Sequence, residues 1–371
     1  MINTSRLVEE FLELVQIDSH SAKEGAIAKV LQKKLEEIGL EVTVDEAGVK
    51  AGGETGNIIA KLKGEKQGKT IVFSSHMDTV VPGEGVKPVV KDDIIYSDGT
   101  TILGADDKAG IAAILEALRV VKESKTAHAD IEVAFSIWEE GGLFGAKYLD
   151  YSKLNAEYGF VLDSGGSPGE IITVGPAQDK VNAEIIGELA HAGVEPENGV
   201  SAIMIAARAI NNMKLLRIDE ETTANIGIIK GGEATNIVTA KVTLEGESRS
   251  LTEKKLDAQT EHMANALKEA ADHFGGKVEL DIERMYTPFN IAVEDEIVVK
   301  TKEAFQRIGI KSYTTATGGG SDTNIFNGNG IKAINLGVGM KKVHTLEEHI
   351  SIKDLKDSAR MVYEIIKIFG E

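Results

Sequence analysis

Leu7, Val8, Phe11, Leu12 and Val15 recur at helical spacing with Glu9, Glu10 and Glu13 between them, so the chain opens on an amphipathic helix over 5–16. A second helical period covers 24–39 and stops at Gly39, a residue type that readily takes the left-handed position beyond a helix. The pattern then shortens to apolar runs. Residues 57–62 and 70–75 read as strands, 107–123 as a helix, 131–138 as a buried strand and 158–162 as another. Strands alternating with helices predict an α/β domain of three αβα layers with a mainly parallel sheet.

Between 179 and 287 the order changes. A strand at 180–187 is followed by a helix at 199–212, strands at 224–229 and 237–245, a long helix at 253–273 and a strand at 278–283. This β-α-β-β-α-β order is that of a ferredoxin-like α+β unit. The earlier pattern returns with a helix at 294–308, a strand at 333–336 and a helix at 353–369. Because residues suited to metal binding lie on both sides of the middle unit, 179–287 reads as an insertion into one catalytic domain made of 1–178 and 288–371. Its edge strands suit it either to cap a cleft or to pair with a second copy as a homodimer.

A formal charge of −18 over 371 residues, with no Lys/Arg block to interrupt it, opposes nonspecific binding to nucleic acid or to a membrane surface. The expected partner is small or cationic. The absence of cysteine excludes disulfides and thiolate metal sites, leaving histidine and carboxylate as metal donors. The first helix does not read as a signal peptide, and no run reaches the roughly 18 to 20 apolar residues that cross a bilayer, so a cytoplasmic location is expected.

Against that background, His76, Asp78, Asp106, Glu139, Glu140, Asp163 and His344 each fall where a predicted strand meets a loop. Ligands at strand ends are how an α/β sheet builds a site. Catalytic zinc takes histidine nitrogen and carboxylate oxygen, and two zincs in one site need a bridging carboxylate and further ligands on each. The count is met if His76 and Asp163 serve one metal, Glu140 and His344 the other, and Asp106 bridges. Glu139 is then left as a general base, and Asp78 can accept the second ring N–H of His76 and fix its tautomer. If Trp138 ends a strand, Glu139 and Glu140 point in different directions.

The runs Ser75-His76-Met77-Asp78-Thr79, Leu103-Gly104-Ala105-Asp106-Asp107-Lys108-Ala109-Gly110, Glu139-Glu140-Gly141-Gly142, Leu162-Asp163 and His344-Thr345 resemble the motifs of the dinuclear zinc exopeptidase family that contains peptidase T, carboxypeptidase G and aminoacylase. Segment 98–110 is most similar to the peptidase T, or tripeptide aminopeptidase, form. The resemblance covers essentially the whole chain. It implies two zinc ions per subunit, replaceable by Mn or Co, a short peptide substrate cleaved at its N-terminal residue, and the ligand roles just counted. It further implies that His191 stabilises the oxyanion, from its own chain or a partner's, that Asn236 and Arg249 hold carbonyl or carboxylate groups of the substrate, and that the Gly-rich segment with Gly319 and Gly320 lies along it. An N-acyl amino acid deacylase, a carboxypeptidase and a non-catalytic peptide-binding homologue are the competing readings.

Simpler roles compete for several of these residues. Asp106 and Asp107 precede an apolar helix and suit capping, the favoured role for Asp107. Asp163 alone is an ordinary turn residue, Glu139 and Glu140 alone a solvated pair, and Arg249 a surface ion pair. His20, His128, His262, His273 and His349 read as local structure. Gly64 to Thr70 is one residue short of a phosphate-binding loop and leads into a strand, so it reads as a hairpin-type connection.

Overall fold

In the computed structural model, which describes residues Met1–Glu371, the two opening helical periods form helices Thr4–Val15 and Gly25–Ile38. Asn3 starts the first, its side chain accepting the backbone N–H of Arg6, and Gly39 ends the second at φ 99°. Chain contacts divide the protein into two units. The first comprises Met1–Thr173, Asn290–Ala316 and Ser321–Glu371, and the second Val174–Phe289 with Thr317–Gly320. Thr317–Gly320, placed by the sequence reading within 288–371, therefore belongs to the second unit.

At the centre of the first unit, strands Ile131–Ser136, Ile71–His76, Tyr158–Ser164 and Lys332–Gly337 lie side by side in that order and run parallel. Ile58–Leu62 and then Glu41–Val44 extend one edge and Glu170–Gly175 the other, each antiparallel to the strand it joins. The connection at 64–70 is not a hairpin. Strand Ile131–Ser136 inserts between the two strands it links, and Gly64 N donates to Asp130 Oδ1 while Lys66 N donates to His128 O, just ahead of that strand.

Alternate residues of the central strands feed two layers, which is why each strand reads as an unbroken apolar run. Phe73, Val133, Phe135, Phe160, Leu162, Ile334 and Leu336 share one core with helices Thr4–Val15, Gly25–Ile38, Ala105–Ser124 and Ile352–Phe369. On the opposite face Ile59, Val72, Ala134, Val161 and Ala333 are covered by Leu149, Leu154 and Phe326, from a stretch with only the short helices Phe144–Tyr148 and Asp322–Gly328. The expected αβα layering is present, with one layer thick and the other thin. Two features escaped the apolar pattern. Strand Glu41–Val44 is largely exposed, and Pro88–Lys91, Ile94–Ser97 and His349–Ser351 form a small separate sheet.

In the second unit, Ala177–Ile186, Ala202–Asn212, Thr222–Gly231, Lys241–Ser250, Glu253–Phe274 and Lys277–Tyr286 follow the predicted ferredoxin-like order. The sheet order is Lys277–Tyr286, Ala177–Ile186, Lys241–Ser250, Thr222–Gly231, all antiparallel, with the short Leu216–Arg217 on the last edge. Val181, Ile185, Val242 and Leu244 bury one sheet face against Ile205, Met263 and Leu267 of the two helices. The strand expected at 237–245 lies later, at Lys241–Ser250, because Ile237–Val238 pairs instead with Ala190–His191. No helix in the protein is long and apolar enough to cross a membrane.

Candidate metal centre and active site

Four parallel strands bring their carboxyl ends to one edge, and the candidate residues leave from there. His76 is the last residue of its strand, Asp163 lies near the end of Tyr158–Ser164, Glu139 and Glu140 follow Ile131–Ser136, and His344 follows Lys332–Gly337. Asp106 stands at the start of helix Ala105–Ser124.

These side chains meet. His76 Nε2 is 3.1 Å from Asp106 Oδ1 and 3.9 Å from Asp163 Oδ1. His344 Nε2 is 3.3 Å from Asp106 Oδ2 and 2.8 Å from Glu140 Oε1. Asp106 thus turns one oxygen to each histidine, the arrangement a bridging carboxylate needs. Donor atoms of His76, Asp106 and Glu140 lie within 4.8 Å of one another, as do those of His76, Asp107 and Asp163. Asp107 also does what its position before a helix predicts, its Oδ1 accepting Gly110 N at 3.3 Å, while its Oδ2 accepts His76 N.

The cluster holds more carboxylates than its two histidines can balance. Burial, reinforced by Glu139 and Asp106, drives the Asp163 carboxyl well above its ordinary range. Glu139 is likewise driven well above it by burial, with His76 opposing and Asp322, Glu140 and Asp78 adding to the rise. Burial also pushes Asp106 upward, yet hydrogen bonds with His344 and His76 outweigh it and hold this carboxyl well below the usual value. Hydrogen bonds to Asp106 and Glu140 lift His344 to about 10. Two imidazoles, one buried and one exposed, converging with several buried or half-buried carboxylates form a donor set suited to divalent cations.

Asp78 faces His76, as read in the sequence, and does more besides. His76 Nδ1 lies 2.9 Å from the backbone oxygen of Asp78 and 3.4 Å from its Oδ1. The carboxylate, fully buried, accepts Glu139 N at 2.8 Å, Glu140 N at 3.2 Å and Ser21 Oγ at 2.6 Å. It therefore supports the base loop as well as the imidazole. That loop is a turn and not a strand end. The strand stops at Ser136, and Trp138 takes φ 48°, a left-handed conformation rare for a bulky residue.

Further buried groups shape the site. Glu348, 1% exposed, accepts Leu103 N and Gly104 N on Oε2, both at 2.8 Å, and Asp106 N on Oε1 at 3.0 Å. It clamps the loop that presents Asp106, and its position four residues beyond His344 was the only sequence signal for it. Glu348→Gln sets an amide NH₂ against one of these donors. It is expected to lower unfolding stability by about 1–3 kcal/mol, and an unchanged denaturation midpoint would show that the clamp contributes nothing. Asn335 holds the backbone of Asp163, accepting its N–H at 3.0 Å and donating to its carbonyl at 2.9 Å. Ser136 donates to the buried Asp322.

His191, Asn236, Arg249, Gly319 and Gly320 all belong to the second unit. Strand pairing sets His191 opposite Ile237, and Ala192 N donates to Asn236 O, so His191 and Asn236 are neighbours. The Arg249 fork is engaged on Glu247, with Nε and Nη2 each 3.0 Å from a carboxylate oxygen, as the ion-pair reading has it. Gly320 is required by packing, since a Cβ there would stand 2.1 Å from Tyr286 Cζ, whereas Gly318 faces open space. The remaining histidines serve local structure. His20 accepts Gly83 N, His262 accepts Lys214 N, His349 packs at a tilt against Tyr96, His128 Nδ1 lies against Ala129 O and His273 packs edge-on to Phe274.

Comparison with known proteins places this arrangement. The chain is 51% identical over 367 residues to the protein YqjE of Bacillus subtilis strain 168, with 99% of each covered. The crystal structure of aminopeptidase PepT from Bacillus cereus ATCC 10987 superposes with a TM-score of 0.93 at 48% identity, covering 100% of both chains. That of a tripeptidase from Staphylococcus aureus subsp. aureus Mu50 gives 0.96 at 44% identity, covering 100% of this chain and 99% of the other. The model of peptidase family M20/M25/M40 matches residues 72–368, which include every member of the cluster from His76 to His344, and the chain belongs to that family.

Proposed function

We propose that this protein is a metallo-aminopeptidase that releases the N-terminal residue of short peptides, tripeptides foremost. The observation that carries the reading is Asp106, set between His76 and His344 with one oxygen toward each, beside a buried Glu139. The whole-chain likeness to a PepT aminopeptidase and a tripeptidase supports the substrate class.

In this reading His76 and Asp163 hold one divalent cation, Glu140 and His344 a second, and Asp106 both, with zinc the expected metal and Mn or Co able to substitute. When bound, such a pair polarises the scissile carbonyl and makes the attacking water acidic. Glu139, buried and left free by the proposed ligand set, accepts the proton of that water and later delivers it to the leaving amine. Asp78 keeps His76 and the Glu139 backbone in register. The substrate contacts implied for His191, Asn236, Arg249, Gly319 and Gly320 are part of the same proposal, supported by the family resemblance that implies them.

The test is a hydrolysis panel of di-, tri- and tetrapeptides, each with a free and an acetylated N-terminus, run with metal analysis. Free tripeptides are expected to be cleaved at the first bond and blocked ones to resist. Cleavage of the acetylated peptides at the acyl or C-terminal bond would replace this reading with the deacylase or carboxypeptidase one.

A further inference from the structure

The segment between the first two helices carries no residue that the proposed chemistry uses, yet it reaches the base loop. Glu24, fully buried, directs Oε1 at Trp138 N, 2.9 Å away, and the same oxygen accepts Ala22 N at 2.9 Å. Both donors belong to non-glycine residues in the left-handed region, with φ 70° at Ala22 and 48° at Trp138. Such conformations persist where surrounding bonds over-determine them. Beyond Trp138 the next two backbone N–H groups, those of Glu139 and Glu140, both end on Asp78, which Ser21 of the same segment holds through its hydroxyl. Three consecutive N–H groups of the base loop are thus taken by two buried carboxylates, Glu24 and Asp78. Glu24 Oε2 has no partner within the protein.

We propose that Glu24 is a positioning residue for the reaction, fixing through Trp138 the direction in which Glu139 leaves the turn. The inference rests on the assignment of Glu139 as the base. Without the Trp138 bond, the left-handed residue is free to relax toward an ordinary conformation, and the carboxylate one position later swings with it. A displacement of the order of 1 Å at a reacting group can cost roughly 10²-fold in rate. Burial, then the charge of Asp78, pushes the Glu24 carboxyl up to about 7. A glutamine, which keeps an acceptor oxygen without the charge, is therefore a close mimic of the protonated side chain.

The experiment compares Glu24→Ala, Glu24→Gln and Glu24→Asp with the parent protein on a tripeptide, recording kcat, KM and bound metal. Glu24→Ala is expected to lose roughly 10²-fold in kcat with KM and metal content unchanged. Glu24→Asp, shorter by one methylene, should fall with it, and Glu24→Gln should stay near the parental rate. Should the alanine variant fail to fold, the aspartate and glutamine pair carries the same contrast. Parental kcat in a folded alanine or aspartate variant overturns the proposal, and so does metal loss in step with activity, or an equal loss in the glutamine variant. Failure of the parent protein itself to cleave the peptide would instead overturn the functional reading.

Discussion

Glu139→Gln is expected to lower kcat on a tripeptide by about 10²–10⁴-fold while leaving KM and the metal content near their parental values. Glu139 is a cluster carboxylate that the proposed ligand set does not need, and it is buried beside Glu140 in a fixed turn. The amide keeps the shape and removes the proton acceptor. Its effect should therefore appear in the chemical step, as a parallel fall in kcat and kcat/KM. Parental turnover in this variant, or loss of metal with turnover, would move the base elsewhere or make Glu139 a ligand.

The second large effect is expected on stripping divalent metal with a chelator, which should abolish turnover and lower the unfolding temperature, both restored by added zinc. The sign follows from the charges. Asp163 is held in the folded protein against Glu139 and Asp106, and Glu139 against Asp322, Glu140 and Asp78, and bound cations relieve that repulsion only in the native state. A ligand at a hundred times its dissociation constant adds about 2.7 kcal/mol per site. Asp106→Ala should remove a donor from both metals at once, because each histidine faces a different oxygen of that one carboxylate. Full turnover in chelated protein, or two tightly held ions in the Asp106 variant, would contradict the proposed ligand set.

The parts of the site that the sequence makes legible are those where a polar ligand interrupts an apolar run. His76 and Asp163 end buried strands, and Glu139 and Glu140 follow one, so hydropathy places them at a sheet edge before any coordinates do. The alternation of helices and strands likewise suffices for the layered first unit and the inserted second one. What stays hidden acts through backbone N–H groups far along the chain. Glu24 and Trp138 are 114 residues apart, and Glu348 reaches Leu103 across 245. Neither side chain alters local periodicity. Trp138 misled for a related reason. Its apolar side chain extends the strand pattern by two residues, while its backbone has already turned. The connection at 64–70 was misjudged because sequence adjacency suggests pairing, and a strand from much later in the chain fills the gap.

The Glu348 clamp sets a timetable for biosynthesis. The loop that presents Asp106 is tied to a residue made long after it, and strand Lys332–Gly337, a neighbour of the Asp163 strand, is synthesised late as well. A nascent chain that has reached only residue 330 has its first three parallel strands and the whole second unit, but not the imidazole of His344, the clamp or Asn335. On the proposed ligand set it cannot assemble the metal centre. Under the proposed ligand set, proteolytic competence therefore waits on residues 335–348, which the chain supplies only after the whole second unit has been made.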